Sequence, residues 1–254
     1  KRFGQQMTAG EIIINSDADM YIGGWMKGGK ITVKGNADSF LGIAMEGGEI
    51  LIEGDAQNHV GSAYRGDWRG MSGGLIRVKG KAGNDIGTAM TGGTIIIEGD
   101  AFIHVLTHAE GGTVIIKGDV EGRVGGQMVK GEIYVLGGVE RMMPSFKYDH
   151  DEDAEIDGKM MKFQVYYGDL GERHGKRKGE IIYGKIFVCA GISEASEQKS
   201  PRGERRQKLN EKQLAQLAEA FKGKEVTVQE VRTYVYDTFA LDLKPMQVSR
   251  LIES

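Results

Sequence analysis

A 19-residue period runs through the first half of the sequence, and this period decides what the chain can fold into. The core of the unit reads Met-x-Gly-Gly-x-Ile-x-Val-x-Gly. Every step follows the period except the one from Met45 to Met71, which is longer by seven positions. A short fixed period predicts a stacked array in which each unit buries its apolar face only against its neighbours. Six copies begin with Met and a seventh with Ala: Met7, Met26, Met45, Met71, Met90, Ala109 and Met128.

Each unit contains one short stretch of alternating apolar residues, which predicts a β-strand with both apolar members on the same face. Gly-Gly before the stretch and Gly after it indicate tight turns. Because 31 of the 40 glycines lie before residue 140, this region leaves no room for helices. Coils of strands and turns that stack on one another predict an all-β parallel β-helix. The apolar pairs are Ile12/Ile14, Ile31/Val33, Ile50/Ile52, Ile76/Val78, Ile95/Ile97, Val114/Ile116 and Ile133/Val135.

The position after each strand alternates in charge from one unit to the next. In a parallel stack these residues lie directly above one another, so opposite charges in adjacent coils attract. Each exposed pair contributes only about 0–1 kcal/mol, and its main effect is to fix the register of the coils. The column reads Lys34, Glu53, Lys79, Glu98 and Lys117, and a second column begins Glu11, Lys30 and Glu49.

The middle position of each strand is predicted to face outward, yet it is mostly apolar. A β-helix surrounded by solvent is expected to carry polar residues there, so a contiguous apolar stripe indicates a contact surface. The alternative is that β-branched residues simply favour strands. We predict an interface that includes Ile96, Ile115 and Tyr134. The full column is Ile13, Thr32, Leu51, Arg77, Ile96, Ile115 and Tyr134.

The regular repeat fades after residue 139, and the remaining sequence changes character. Thr227 and Glu230 form a helix-capping pattern in the last segment, which predicts short helices there. Since the repeats already begin at Met7, we expect upstream residues or another subunit to cover the first coil. The predicted parts are a β-helix at 1–190 (repeats at 7–139 and closing coils at 140–190), a polar linker at 191–208, and a small C-terminal α-helical appendage at 209–254.

Composition excludes several classes of protein. The net charge is −3, and residues 197–254 carry 11 Lys or Arg against 9 Asp or Glu. This balance disfavours nucleic-acid binding, and docking onto a partner subunit is the preferred role for the helical appendage. The single cysteine, Cys189, excludes a disulfide framework and a cysteine-ligated cluster held by this chain alone. Without an apolar span or a visible signal peptide, we expect no membrane partner and a cytoplasmic location.

Two motifs have the spacing of metal sites but not the structural context. His104 and His108 are four residues apart, yet they fall in a predicted turn, where that spacing does not place side chains on one face. The acidic run at 149–155 has Ala154 where a calcium loop needs Gly, and Met160 where it needs Glu. We therefore predict no metal ligand, cofactor-binding residue or catalytic residue in this chain.

The seven extra residues of the long step lie within Ser62–Gly74, whose sequence is SAYRGDWRGMSGG. An insertion in a regular array usually carries function on one face. Aromatic residues and Arg are enriched at the energetic centres of protein interfaces, so we predict a subunit contact here. The alternative is a bulge packed on its own β-helix. The predicted contact residues are Tyr64, Arg65, Asp67, Trp68 and Arg69.

The repeat resembles the β-helical domain at the C-terminal end of the glutamate synthase large subunit. The segments Lys1–Glu11 and Ser62–Gly74 more closely resemble the C-subunit family of formylmethanofuran dehydrogenase, and the likeness extends from residue 1 to about residue 190. This resemblance implies a right-handed β-helix within a multisubunit enzyme of methanogenic archaea. That enzyme reduces carbon dioxide and fixes it as N-formylmethanofuran.

The resemblance also implies partners and cofactors. A molybdenum or tungsten pterin, iron–sulfur clusters and a binuclear metal site are expected on the other subunits, and methanofuran is reached only through the complex. The expected function of this chain is that of a scaffold subunit in an oxidoreductase. One alternative is the β-helix subunit of a formyltransferase/hydrolase complex, which works without redox chemistry. Another is a free-standing structural β-helix with no enzyme partner.

Overall fold

The computed structural model of the chain describes residues 2–170, 175–177 and 180–192, together with nine positions between 216 and 238. The chain divides into two compact units, Lys1–Ser196 and Glu197–Ser254. Most of the predicted linker and helical appendage lie outside the described residues. The nine described positions of the second unit have helical backbone, and three of them are buried: Leu217, Val231 and Val235. Nowhere in the described parts is there a helix long and apolar enough to cross a bilayer.

Short strands form the first unit, as the alternating apolar pairs predict. The early strands are four residues long because Gly-rich turns bound them on both sides. The strands are β1 Glu11–Ile14, β2 Lys30–Val33, β3 Glu49–Ile52, β4 Leu75–Val78, β5 Thr94–Ile97, β6 Ala101–Val105, β7 Glu110–Ile116, β8 Val120–Val124, β9 Lys130–Val135, β10 Val139–Arg141, β11 Lys147–Ile156, β12 Lys159–Gly168, β13 Gly175–Arg177, β14 Glu180–Ile182 and β15 Gly184–Ile192.

The main sheet stacks one strand from each coil. Its order is β1-β2-β3-β4-β5-β7-β9-β15-β12-β11, and neighbours from β1 to β15 pair in parallel. Partners lie one repeat apart, so that Ile31 pairs with both Ile12 and Ile50. The longer step places Ile76 opposite Ile50, and the seven extra residues therefore leave the register intact. This arrangement confirms the predicted parallel β-helix of 19-residue coils.

A second parallel ladder runs along another side of the coils. Alanines bridge from coil to coil at its start, and β6, β8 and β10 continue it. Asx side chains reinforce it: Asp17 Oδ1 accepts from the Asn36 N–H at 2.7 Å, and Asn36 Oδ1 accepts from the Asp55 N–H at 2.9 Å. These bonds satisfy backbone donors in the turns between strands. The same bond recurs at Asp55–Lys81, Asp100–Asp119 and Asp119–Gly138.

The inward strand residues form the core, as predicted. From β2 to β9 both members of each apolar pair are at most 1% exposed. Burial of one such side chain contributes about 1.5–3 kcal/mol. Ile12 and Ile14 of the first coil are only half-buried, because β1 has a neighbouring coil on one side alone. The methionines that begin the repeats are fully buried from the second copy onward: Met26, Met45, Met71, Met90 and Met128.

Ion pairs link the coils along the predicted charge column. Lys34 Nζ lies 2.7 Å from Glu53 Oε1, and Lys117 Nζ lies 3.8 Å from Glu98 Oε1. Glu98 has a closer cation in Arg77, whose Nη1 lies 2.8 Å from Oε1. Arg77 occupies the middle of β4, and its side chain is long enough to reach Glu98 in the neighbouring charge column. The remaining pairs of the two columns are Lys79–Glu53 at 4.0 Å and Lys30–Glu49 at 3.8 Å.

At the C-terminal end of the stack, a side chain accepts the hydrogen bond that a further coil would otherwise accept. At one corner of every coil, a backbone N–H donates to a carbonyl of the next coil, as His108 does to Gly126 at 2.9 Å. In the last coil the Gln127 N–H donates instead to Asp169 Oδ2 at 3.1 Å. Asp169 is 1% exposed. Its carboxylate therefore replaces the carbonyl that an additional coil supplies elsewhere.

A hairpin of this chain covers part of the outward apolar column. β12 pairs antiparallel with β15, and β11 pairs antiparallel with β12. Phe163, Val165 and Phe187 form a second core with Ile156, and Ile115 and Tyr134 pack against it. The ring of Tyr134 stacks on Phe187 with centroids 4.3 Å apart. The predicted contact surface is thus occupied by the chain's own hairpin at its C-terminal end.

Candidate interaction surface

The insertion leaves the β-helix and returns to it beside the same neighbouring coil. The Ala63 N–H donates to Thr88 O at 2.9 Å, and the Gly70 N–H donates to Ala89 O at 2.9 Å. Residues 64–69 lie between these two attachment points, with a turn closed by the Asp67 N–H and Tyr64 O at 2.8 Å. The regular coils on either side therefore fix both ends of a six-residue projection.

The first half of the insertion packs on a cluster of aromatic rings. Tyr64 lies 6.3 Å from Tyr21 and 5.6 Å from Trp25, measured between ring centroids. Tyr21 stacks in turn on Phe40, at 4.9 Å and 5° between planes, and Phe40 stacks on His59, at 4.7 Å and 4°. Such contacts contribute about 0.5–1.5 kcal/mol each beyond their buried area. Tyr64 thus fixes the start of the insertion to this side of the coils.

The second half of the insertion projects outward. Trp68 is 74% exposed, and its only ring contact within the described part of the chain is edge-on to His108 at 5.7 Å. Trp68 therefore does not belong to the β-helix core. Tyr64, in contrast, packs on its own coils. The other half of the insertion presents a large apolar surface to solvent.

Asp67 and Arg69 form a closed pair at the tip. Arg69 donates from Nε to Asp67 Oδ1 and from Nη2 to Oδ2, both at 2.9 Å. The Arg69 backbone N–H also donates to Oδ1 at 3.1 Å. This hydrogen bonding by Arg69 lowers the pKa of the Asp67 carboxyl, and Asp67 in turn raises the pKa of Arg69. The pair is exposed, so it shapes the loop more than it stabilises the fold.

Arg65 lies at the edge of the aromatic cluster. Its Cζ is 5.9 Å from the centroid of Phe40, whose two faces are already covered by Tyr21 and His59. The guanidinium therefore cannot lie flat on that ring. Within the described residues, no carboxylate lies within ion-pair distance of Arg65, whereas Arg69 has Asp67. Arg65 is exposed.

The three predicted contact residues of the outward column differ in exposure. Ile96 is 8% exposed, and Ile115 and Tyr134 are half-buried beneath the hairpin. Burial raises the pKa of Tyr134, and the nearby Glu132, which accepts its hydroxyl at 3.2 Å, acts in the same direction. These contacts give Ile115 and Tyr134 a packing role within this chain. At the N-terminal end of the column Ile13 is 55% exposed, whereas Thr32 in the next coil is 7% exposed.

The two histidines of the disfavoured metal motif lie in separate contacts. His104 accepts from Arg123 Nη1 at Nε2, at 3.1 Å, and its Nδ1 lies 3.4 Å from Asp85. His108 instead packs against Trp68. No cluster of three or more metal-ligating side chains occurs among the residues described. The acidic run forms most of strand β11 rather than a loop.

Sequence reasoning missed the aromatic cluster that holds the insertion. Tyr21, Phe40 and His59 follow one another at intervals of one repeat, so the period itself placed them in one column. All three have φ between 65° and 66°, a left-handed conformation that is uncommon outside Gly and usually marks a tight turn. The signal in the sequence is the 19-residue spacing of these three residues, at a position of the repeat outside the strands.

Comparison with known proteins identifies the family. No family model matches the sequence. The chain is 58% identical over 193 residues to the C subunit of tungsten-containing formylmethanofuran dehydrogenase 2 from Methanococcus maripaludis, covering 71% of this chain and 69% of the relative. The chain belongs to the C-subunit family of formylmethanofuran dehydrogenase. This confirms the resemblance that the repeat and the insertion indicated.

A solved structure shares the fold of this C-subunit family member. It is the formyltransferase/hydrolase complex of Methylorubrum extorquens with methylofuran, with a TM-score of 0.63 and 26% identity. The similarity covers 75% of this chain and 74% of the other. In that crystal structure the similar chain is one component of a complex. A β-helix of this kind therefore occurs in a larger enzyme assembly.

Proposed function

We propose that this chain is the β-helical scaffold subunit of a formylmethanofuran dehydrogenase, the complex that reduces carbon dioxide and forms N-formylmethanofuran. The observation that carries the proposal is the 58% identity to the C subunit of such an enzyme over most of the chain. The repeat supports a structural role, because its columns serve packing, ion pairs and backbone hydrogen bonds between coils. The chain supplies the assembly with a rigid surface rather than catalytic groups.

The redox cofactors belong to the partner subunits in this proposal. The relative is named as a tungsten-containing enzyme, which favours a tungsten pterin over a molybdenum one in the same assembly. Iron–sulfur clusters and a binuclear metal site complete the expected set on other chains. Methanofuran reaches the complex without binding in this chain. The setting is methanogenesis in the cytoplasm of an archaeon, in keeping with the methanogen source of the relative.

The insertion is the proposed contact with another subunit. Trp68 is mostly exposed although its loop is held at both ends, which is the arrangement expected of an anchor residue that fills a partner's pocket. Asp67 and Arg69 flank it in sequence, Arg65 lies earlier in the same loop, and Tyr64 holds the start of the loop against Tyr21 and Trp25. Ile115 and Tyr134 contribute through the hairpin that packs beside them, so that the hairpin's outer surface is the second proposed contact. Ile96, which pairs with Ile115, continues their column in this proposed contact.

Double substitution of Trp68 and Arg69 by Ala tests the contact. The isolated chain should keep its melting temperature, since the repeat columns are untouched. Loss of an anchor at an interface typically costs about 2 kcal/mol or more, so recovery of the complex from the source cells should fall with its activity. Phe102→Ala is the control, because Phe102 is also an exposed apolar residue but lies in β6, outside both proposed contacts. Unchanged recovery and activity in the double variant would rule out the contact.

The second candidate is a subunit of a formyltransferase/hydrolase complex, which the structural similarity to that complex favours. The two candidates differ in redox chemistry. Copurification with a tagged chain, followed by metal analysis and identification of the subunits, separates them. A tungsten- and iron-containing assembly supports the dehydrogenase. An assembly without tungsten, molybdenum and iron supports the second candidate, and a monomer that brings down no other subunit excludes both.

A further inference from the structure

The side chains at the tip of the insertion, Asp67, Trp68 and Arg69, have hydrogen-bond donors left over. Asp67 is the acceptor of the tip, and both of its oxygens already accept from Arg69. Arg69 keeps the donors of Nη1, which take no part in that pair, and its side chain is 84% exposed. The indole N–H of Trp68 is a donor only. Any group that satisfies this tip must therefore bring acceptors.

The net charge of the insertion also favours a partner that supplies acceptors and negative charge. Arg65 and Arg69 against Asp67 leave one net positive charge on residues 64–69. Several other cations of the β-helix have carboxylates close by, such as Arg141 with Glu121 at 2.8 Å. Arg65 has none among the described residues, and it lies beside stacked rings that give it no competing anion. An unneutralised Arg in the same short loop as an exposed Trp is a typical composition for an interface.

The loop is also organised in advance of binding. Tyr64 rests on Tyr21 and Trp25, the Asp67–Arg69 pair fixes the tip, and Trp68 lies against His108. A loop that already holds its bound conformation loses less entropy on association. The partner surface can therefore be small and still bind, provided that its chemistry matches the three exposed side chains.

We infer that the insertion docks into an apolar pocket with an acidic rim on another protein subunit. Trp68 fills the pocket, and Arg65 and Arg69 bind carboxylates or backbone carbonyls at its edge. This inference rests on the proposed function, since it requires that the chain assemble with other subunits. It adds the chemistry of the partner: acceptors and negative charge around an apolar centre, with no basic side chain at the rim.

The test compares charge reversals within the complex. Tagged wild-type chain, Arg65→Glu, Arg65→Gln and Trp68→Ala are expressed in the source cells, and dissociation of the chain from the recovered complex is measured at low and high salt. Arg65→Glu should raise the dissociation constant by about 10-fold or more at low salt, and Arg65→Gln should raise it less. The effect should shrink between about 50 mM and about 500 mM NaCl, because salt screens the exposed charges.

Arg141→Glu is the matched control. It makes the same change in net charge at an exposed Arg in β10, away from the insertion. It should leave both the dissociation constant and its salt dependence unchanged. If Arg65→Glu behaves like Arg141→Glu while Trp68→Ala weakens binding, the acidic rim is refuted. If the complex still forms and neither Arg65→Glu nor Trp68→Ala changes its dissociation constant, docking of the insertion is refuted and the proposed function stands. If the wild-type chain recovers no other subunit, the proposed function itself is refuted.

Discussion

A single added methyl group at Gly48 should strongly destabilise the β-helix. Gly48 has φ of +89°, and an ideal Cβ there would lie 2.7 Å from Met26 Cε, 2.8 Å from Gly29 O and 2.9 Å from Gly28 C. Two of these atoms are backbone of the preceding coil and cannot rotate away. The substitution Gly48→Ala therefore forces adjacent coils apart at a point where the ladder requires close contact.

Gly66→Ala provides the matched control for the backbone conformation. Gly66 has φ of +80°, but no atom lies within 4 Å of its ideal Cβ. A left-handed conformation costs a residue with a side chain about 1–2 kcal/mol. The smaller entropy of the unfolded Ala chain returns about 0.4–1 kcal/mol. Gly66→Ala should therefore lower the free energy of unfolding by no more than about 1.5 kcal/mol.

Gly48→Ala carries the same conformational cost together with overpacking, which adds about 1–3 kcal/mol. Its total loss should be about 2–4 kcal/mol. Urea unfolding, followed by circular dichroism, measures both variants against wild type, with equal slopes required for the comparison. Equal losses for the two variants would show that close contact between coils does not limit the position, and the stacking argument would then be wrong.

Other perturbations test the cap and the charge columns. Asp169→Ala leaves a buried backbone N–H without an acceptor, so it should lower the free energy of unfolding by about 1–3 kcal/mol in urea, and Asp169→Asn should lower it less. Glu98→Lys replaces the ion pair with Arg77 by a repulsion and should cost up to about 1 kcal/mol at low salt, with a smaller loss at high salt. The hydrogen bond from Lys34 lowers the pKa of Glu53 from its ordinary value of 4.5. The stability from this pair is present above the unfolded-state pKa and disappears as the pH falls through the folded-state pKa. Melting temperatures measured downward from about pH 6 should therefore fall more in wild type than in Glu53→Gln, and parallel profiles would contradict the pairing.

The sequence predicted those parts of the fold that the repeat period controls. The recurring motif alone placed Ile31, Ile50 and Ile76 in one column, because a parallel stack transfers sequence register directly into spatial register. The same reasoning predicted the Lys34–Glu53 ion pair. Each inference needed only local spacing and the alternation of side chains along a strand.

The hairpin and the end cap could not be predicted in this way. Phe163 and Val165 reach the outward column through antiparallel pairing, whose register depends on a turn and not on the repeat. Asp169 lies 42 positions after Gln127, beyond the last regular repeat, so no repeat spacing relates the two residues. The sequence predicted a contact surface at Ile115 and Tyr134, and the hairpin that packs on these two residues became visible only in three dimensions. Whether it also contributes to a partner contact stays a prediction.

The intact register across the long step has a further consequence for how such a chain can vary. Inserting residues between coils changes neither the strand columns nor the hydrogen bonds on either side, as the pairing of Ile50 with Ile76 shows. Adding or deleting a whole repeat unit leaves the apolar strand columns complete as well. The distance from Trp68 to the hairpin can therefore change only in steps of one strand spacing, about 4.8 Å. Two binding surfaces on different coils are therefore separated along the β-helix by a whole number of strand spacings.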